Sequence, residues 1–239
     1  MIRFICIVVF LIIYFAISLP IQLAELIIEK FNLNLRNKTS LSFVQFGFRC
    51  ACAISGVKLT VEGIENIPKD EAVLFVGNHI SLYDIIVTYP LMIRPTGYIA
   101  KKEIKKIPFL SWLMYFVNCI FLDRKDPREG LKAVLKAADL IKSGVSIFLF
   151  PEGTRSKDGK LHEFKEGGMK IATKSQAPIV PVGIIGTANL FERQFPRIKP
   201  SKVKVIFGQP IYTKDMTRAE QKNLSSMVHE EVTKLTGQV

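Results

Sequence analysis

An uncharged stretch at the start of the chain narrows its structural choices more than any other feature. No Asp, Glu, Lys or Arg occurs from position 4 to position 24. As a straight helix such a run reaches roughly 31 Å at 1.5 Å per residue, about one hydrocarbon core. Pro20 falls inside it and is expected to interrupt the helix, leaving positions 4–19, which is short for a span. Beyond it, Gln22, Glu25 and Glu29 recur at helical spacing among Ile21, Leu23, Leu26, Ile27 and Ile28, the pattern of an amphipathic helix. Asn32, Asn34 and Asn37 read as a turn. Thr39 or Ser40 then caps a second helix whose polar stripe is Ser42, Gln45 and Arg49. Two such helices joined by a short turn fit a hairpin embedded in one face of a bilayer. A single membrane-crossing anchor and a cleaved signal are the alternatives. The signal is disfavoured because a second apolar helix follows and no small-residue cleavage site is evident.

Charge sets the partners. The net charge is +12, and the first 60 residues hold six Lys/Arg against two Asp/Glu, so most of the surplus lies beyond them. That balance suits membrane lipids with anionic headgroups or an anionic substrate. Nucleic acid would use the same charge, but no helix-turn-helix, zinc or RNP signature accompanies it. Only Arg3 precedes the apolar run, whereas Lys30, Arg36 and Lys38 follow it, which puts the remainder of the chain on the cytoplasmic side of a cell inner membrane. Cys6, Cys50, Cys52 and Cys119 show no C-x-x-C spacing, as expected of a reducing compartment. His79, His162 and His229 are too scattered for a metal site, so neither a metal nor a resident cofactor is expected.

From position 57 onward apolar runs alternate with helical patterns. Strands are expected at 57–61, 72–76, 98–100, 119–122, 145–150, 179–185 and 202–207. Helices are expected at 82–91, 109–116, 129–143, 168–175 and 218–235. This is an α/β fold, a mixed sheet covered by helices. The composition shifts once, so residues 1–56 form the membrane hairpin and 57–239 the α/β domain.

The chemistry sits where strands end. Asn78-His79-Ile80-Ser81-Leu82-Tyr83-Asp84 follows the second strand and opens a helix. Side chains emerging there face a ligand at the sheet edge. A histidine in that place takes a proton from a hydroxyl near neutral pH, and a nearby carboxylate holds its tautomer. Taken alone, H-x4-D is more often a polar turn with a capping Asn or Ser. Two further strands end in Asp123-Arg124 and in Pro151-Glu152-Gly153-Thr154-Arg155-Ser156. Singly, these read as a surface ion pair and a turn; together they bring arginines, bidentate phosphate ligands, to the edge that carries His79. Pro181 within an apolar run argues for an edge strand or a bulge. A hydrolase would need a G-x-S-x-G elbow, which is missing.

These four blocks, in this order, resemble the glycerolipid acyltransferases over roughly residues 56–210, and most nearly the bacterial members that acylate lysophosphatidic acid. The resemblance implies that His79 is the general base on the free sn-2 hydroxyl, that Asp84 orients it, and that the hydroxyl attacks an acyl thioester directly to give phosphatidic acid. It implies acyl-CoA or acyl-acyl carrier protein as co-substrate. Arg124, Glu152 and Gly153 would form the acceptor site, with Asn78, Ser81 and Thr154 as motif positions lining it. Arg155 and Lys105, from the run Lys101, Lys102, Lys105 and Lys106, would be phosphate contacts or else a solvated charged face. Pro181 would shape the acyl pocket, and the helix N-terminus beside His79 would receive the oxyanion. Asn118 stands where the family's second block often begins with glycine, a departure that bears only on the fine shape of the acceptor pocket. Acylation of glycerol 3-phosphate or of another lysolipid would use the same residues. A non-catalytic lipid-binding protein is the reading from another class.

Overall fold

Both faces of the central strands are apolar, and both are covered. Val73 and Phe75 point into one core with Phe148, Val180 and Val182. Leu74 and Val76 point into a second core with Ile147, Leu149 and Ile179. Alternation along a strand puts neighbours on opposite faces, so a continuous apolar run requires helices on both sides.

In this computed structural model, which describes residues 1–237, the elements run α1 (Ile2–Phe31), α2 (Leu33–Ser55), β1 (Val57–Glu62), β2 (Leu74–Gly77), α3 (Tyr83–Thr88), β3 (Thr96–Lys101), α4 (Leu110–Phe116), β4 (Ile120–Leu122), α5 (Pro127–Lys142), β5 (Ser146–Leu149), α6 (Glu166–Ser175), β6 (Ile179–Ile185), β7 (Ser201–Phe207) and α7 (Arg218–Thr236). The last two positions of the expected α/β domain lie outside the described residues. One seven-stranded sheet has the order β1-β7-β6-β2-β5-β3-β4. Its strands pair in parallel except β6 with β7. Residues of α5, α6 and α7 fill one core; residues of α2 and α3 fill the other.

The N-terminal helices depart from expectation in three ways. Pro20 does not end α1, which runs through it for 30 residues. Contacts to α2 hold α1 on both sides of the proline: the Tyr14 ring stacks on Phe43 at 4.7 Å, and Thr39 Oγ1 donates to Glu25 Oε2 at 3.1 Å. The turn is one residue, Asn32, whose side chain caps α2 by accepting from Leu35 N at 2.9 Å. Asn34 and Asn37 therefore lie inside α2, and Thr39 and Ser40 cap nothing. Finally, the hairpin is apolar outside and polar inside. Ser18, Gln22 and Glu25 are buried, whereas Ile5, Ile12, Ile17, Leu23 and Ile27 are exposed. Of the described helices, α1 alone is long and apolar enough to cross a membrane.

The hairpin is not a separate body. Leu41 and Val44 of α2 join the core beside α3, and Gln45 Nε2 donates to Tyr89 O and Met92 O at 3.2 and 2.8 Å.

Candidate active site

Because β2, β3, β4, β5 and β6 are mutually parallel, their C-terminal ends open on one edge. Four apolar strands thus deliver four polar segments to one place: Asn78-His79 after β2, Asp123-Arg124 after β4, Glu152 to Ser156 after β5, and Gly186-Thr187 after β6.

Asp84 is the anchor. It is fully buried, and its Oδ2 accepts from His79 Nδ1 at 2.8 Å and from the backbone N–H groups of Ile80 and Ser81 at 2.7 and 2.8 Å. Its Oδ1 accepts from Thr187 Oγ1 at 2.6 Å. Four donors around one buried carboxylate satisfy both of its oxygens without need of water. The pairing puts a proton on Nδ1 and leaves the lone pair on Nε2. The ring is held flat against Phe150, with centroids 4.1 Å apart and planes 15° apart. The His79 side chain is 13% exposed, so most of it is covered by its neighbours, and Nε2 bonds to no protein group among the described residues.

The backbone of His79 is clamped by the segment after β5. His79 N donates to Glu152 Oε1 at 2.7 Å, and Ser156 N donates to His79 O at 2.8 Å. The other oxygen of Glu152 accepts from His162 N at 3.3 Å. Burial pushes the Glu152 carboxyl up from its ordinary range, offset in part by those two N–H groups. Glu152 was expected to touch the acceptor; both its oxygens instead serve the protein, so it fixes the position of His79. Asn78 is likewise occupied. Its side chain exchanges hydrogen bonds of 2.9 and 2.8 Å with the backbone of Ile184, tying the end of β2 to β6. Ser81 is buried, accepting from Tyr83 N at 2.9 Å and donating to Glu192 Oε2 at 2.7 Å.

The helix terminus beside His79 cannot receive an oxyanion. Ile80 N and Ser81 N point to Asp84, Leu82 N to Glu192 Oε1 at 2.8 Å, and Tyr83 N to Ser81 Oγ. With all four donors taken, nothing remains for a substrate there.

Arg124 Nη1 donates to the carbonyl of Gly153, joining the second and third blocks. Gly153 has φ +77°, a left-handed conformation that calls for glycine, whereas the nearest atom to an added Cβ is the movable end of the Lys165 side chain. Thr154 and Arg155 are exposed, and Arg155 Nη1 lies 3.2 Å from Glu192 Oε1. Lys105 is exposed, and among the described residues no hydrogen bond or ion pair joins it to this edge. Pro181 is buried in β6, an interior strand rather than an edge. It is in register with Val76 of β2, and on the β7 side it stands at the end of the ladder, just before Val182 opposite Phe207, where its carbonyl accepts from Gly208 N at 2.8 Å, so the missing N–H costs only a terminal bond.

Asn118 lies at the hairpin junction, against Arg36 and Asn37 of α2. Its backbone is left-handed at φ +60°, which explains a preference for glycine. Its side chain donates to Asn37 Oδ1 at 3.0 Å and accepts from Arg36 Nη1 at 3.4 Å.

Two residues of this edge were not singled out in the sequence. Thr187 carries the same signal as the other blocks, a polar residue just past a strand. Glu192 carries none: it opens a short 3₁₀ turn, Glu192–Gln194, and reaches Ser81, Leu82 and Arg155 only through the fold.

A family model described as acyltransferase matches residues 58–185. A 1-acyl-sn-glycerol-3-phosphate acyltransferase of Borreliella burgdorferi is 32% identical over 181 residues, covering 76% of this chain and 72% of that one. A chloroplast enzyme of the same name from Brassica napus is 38% identical over 159 residues, 65% of this chain and 45% of its own length. The chain thus spans about half the length of such plant relatives. The crystal structure of the 1-acyl-sn-glycerophosphate (LPA) acyltransferase PlsC from Thermotoga maritima superposes with a TM-score of 0.69 at 30% identity, covering 91% of this chain and 95% of that one. With the four polar segments gathered on one sheet edge and the family match spanning β1 to β6, the chain belongs to the acyltransferase family.

Proposed function

We propose that this protein transfers a fatty acyl group from a thioester, acyl-CoA or acyl-acyl carrier protein, to the free hydroxyl of lysophosphatidic acid, giving phosphatidic acid. The observation that carries the reading is His79 at the end of β2, with Nδ1 held by Asp84 at 2.8 Å and Nε2 bonded to no protein group among the described residues. Nε2 takes the hydroxyl proton as the oxygen attacks the thioester carbonyl. The tetrahedral intermediate collapses by breaking the carbon–sulfur bond, and the departing sulfur takes the proton back from the imidazolium. The products are an ester and a thiol. No acyl-enzyme forms and no cofactor is needed. Asp84, with its buried set of donors, stabilises the imidazolium between the two proton transfers. The loop at Thr154 and Arg155 is an alternative source of oxyanion donors, since the backbone N–H groups of both bond to no protein acceptor among the described residues.

Arg124 and Arg155, with Gly153 and Thr154 between them, suit the acceptor phosphate. Pro181, under the sheet edge, suits the acyl side. Glu152, Asn78 and Ser81 hold the base rather than the lipid. The chain works at the cytoplasmic face of a cell inner membrane, because both reactants carry long chains and the hairpin presents its apolar side outward. The test is acyl transfer by the purified full chain with both donors and a panel of acceptors. Phosphatidic acid from lysophosphatidic acid is the expected product. Faster turnover of glycerol 3-phosphate or of another lysophospholipid would move the substrate assignment, and transfer to no acceptor would leave a non-catalytic lipid-binding protein.

A further inference from the structure

The segment after β3 has the wrong outer face for water. Its 3₁₀ turn, Lys102–Lys106, ends in Lys105 and Lys106, which pair with no acid among the described residues. Directly after them Ile107, Phe109, Trp112 and Tyr115 are between 41% and 51% exposed. The inner side of α4 is already apolar, with Leu113 and Phe116 buried. A helix apolar on both sides does not belong at a water-facing surface. The exposed aromatics are spaced i, i+3, i+6, and the rings of Phe109 and Trp112 meet edge to face at 6.5 Å. The row runs into the hairpin. Tyr115 donates to Glu29 Oε1 of α1 at 2.9 Å, and the Arg36 guanidinium of α2 lies 5.8 Å from the Tyr115 ring centroid.

We propose that residues 105–115 form a second membrane contact that seats on an anionic bilayer surface. Phe109 and Trp112 enter the interfacial layer, and Lys105 and Lys106 lie among the headgroup phosphates. Aromatic rings favour that layer, and lysines at its rim favour anionic lipid. Two observations select a bilayer as the occupant: the cations suit an anionic surface, and the aromatic row continues the outward apolar face of α1. An acidic carrier protein would suit the lysines but not that continuity. The inference rests on the reading that the hairpin lies in one leaflet. It adds that the sheet edge bearing His79, which β3 shares, is held against the headgroups from two sides.

Trp112 is the sole tryptophan, so its fluorescence reports this surface alone. The full chain is reconstituted in phosphatidylcholine vesicles with and without phosphatidylglycerol. Emission should shift to the blue, resist acrylamide and be quenched by lipid brominated near the top of the acyl chain. In the Lys105→Gln, Lys106→Gln variant the preference of the docked state for anionic over neutral vesicles should fall about fivefold per lysine. A chain that floats with vesicles while Trp112 stays open to acrylamide and blind to brominated lipid would overturn the proposal and leave the hairpin intact. Shielding that needs added acidic acyl carrier protein would assign the surface to that protein instead. Shielding that grows with protein concentration in lipid-free detergent would assign it to a second copy. Acyl transfer to detergent-dispersed lysophosphatidic acid, measured on the same samples, shows separately whether the proposed activity fails.

Discussion

At the scale of single residues, the site is an imidazole whose freedom has been removed. His79 is held at Nδ1, at its ring face, at its N–H and at its carbonyl, which leaves Nε2 as the ring nitrogen bonded to no protein group among the described residues. His79→Ala should lower acyl transfer about 10²- to 10⁴-fold while the chain stays folded and membrane-bound. Near-normal turnover in that variant would sink the mechanism. Asp84→Asn should be comparably severe, because the amide sets an N–H donor against donors already present and no longer favours the proton on Nδ1. His79 and Asp84 were legible in the sequence because a strand followed by H-x4-D brings a base and its partner together within one turn. Glu192 was not, since its three partners lie more than thirty positions away and only the chain's return after β6 gathers them. Glu192→Gln should loosen Arg155 and raise the acceptor KM about two- to fivefold, an exposed pair being weak, with the donor KM unchanged. A shift in the donor curve alone would place Arg155 on the other substrate.

At the scale of elements, the strands were legible because each is a short apolar run closed by turn residues, and the sheet uses them all. The hairpin was less so. Local rules put a break at Pro20 and a turn across three asparagines, whereas packing between the helices overrides both. The clearest sign of that packing is Gly47, a residue with no local reason to sit inside α2. A Cβ there would lie 2.5 Å from the Tyr14 ring, so its absence lets α1 and α2 approach and lets Tyr14 Oη donate to Phe43 O at 3.1 Å. Gly47→Val should force the helices apart and cost about 1–3 kcal/mol, the usual range for overpacking. Thermal unfolding in detergent measures it. An unchanged midpoint would mean that the hairpin is not held by this contact.

At the scale of the whole molecule, the two ends of the hairpin decide its relation to the bilayer. At one end Arg3 Nη1 donates to Ile54 O at 2.6 Å, and Phe4 stacks on Phe191 at 6.1 Å, one residue from Glu192. At the other, Arg36 Nη1 donates to Phe116 O at 2.6 Å. A hairpin that crossed the membrane would carry its turn roughly 30 Å from the catalytic part, on the far side. Here the turn and the open end both touch it, so the hairpin lies along the α/β domain with its apolar face outward. The turn should then stay on the cytoplasmic side or shallow in that leaflet. A cysteine in place of Asn34, exposed in the first turn of α2, tests this once Cys6, Cys50, Cys52 and Cys119 are replaced. In sealed right-side-out vesicles an impermeant thiol reagent should leave it unlabelled until the vesicles are opened. Labelling from outside would require the contacts of Arg36 with Phe116 and Asn118 to be broken in the membrane, and the hairpin to span it. Protection would mean that a lysolipid hydroxyl in the headgroup layer reaches His79 without its chain leaving the bilayer.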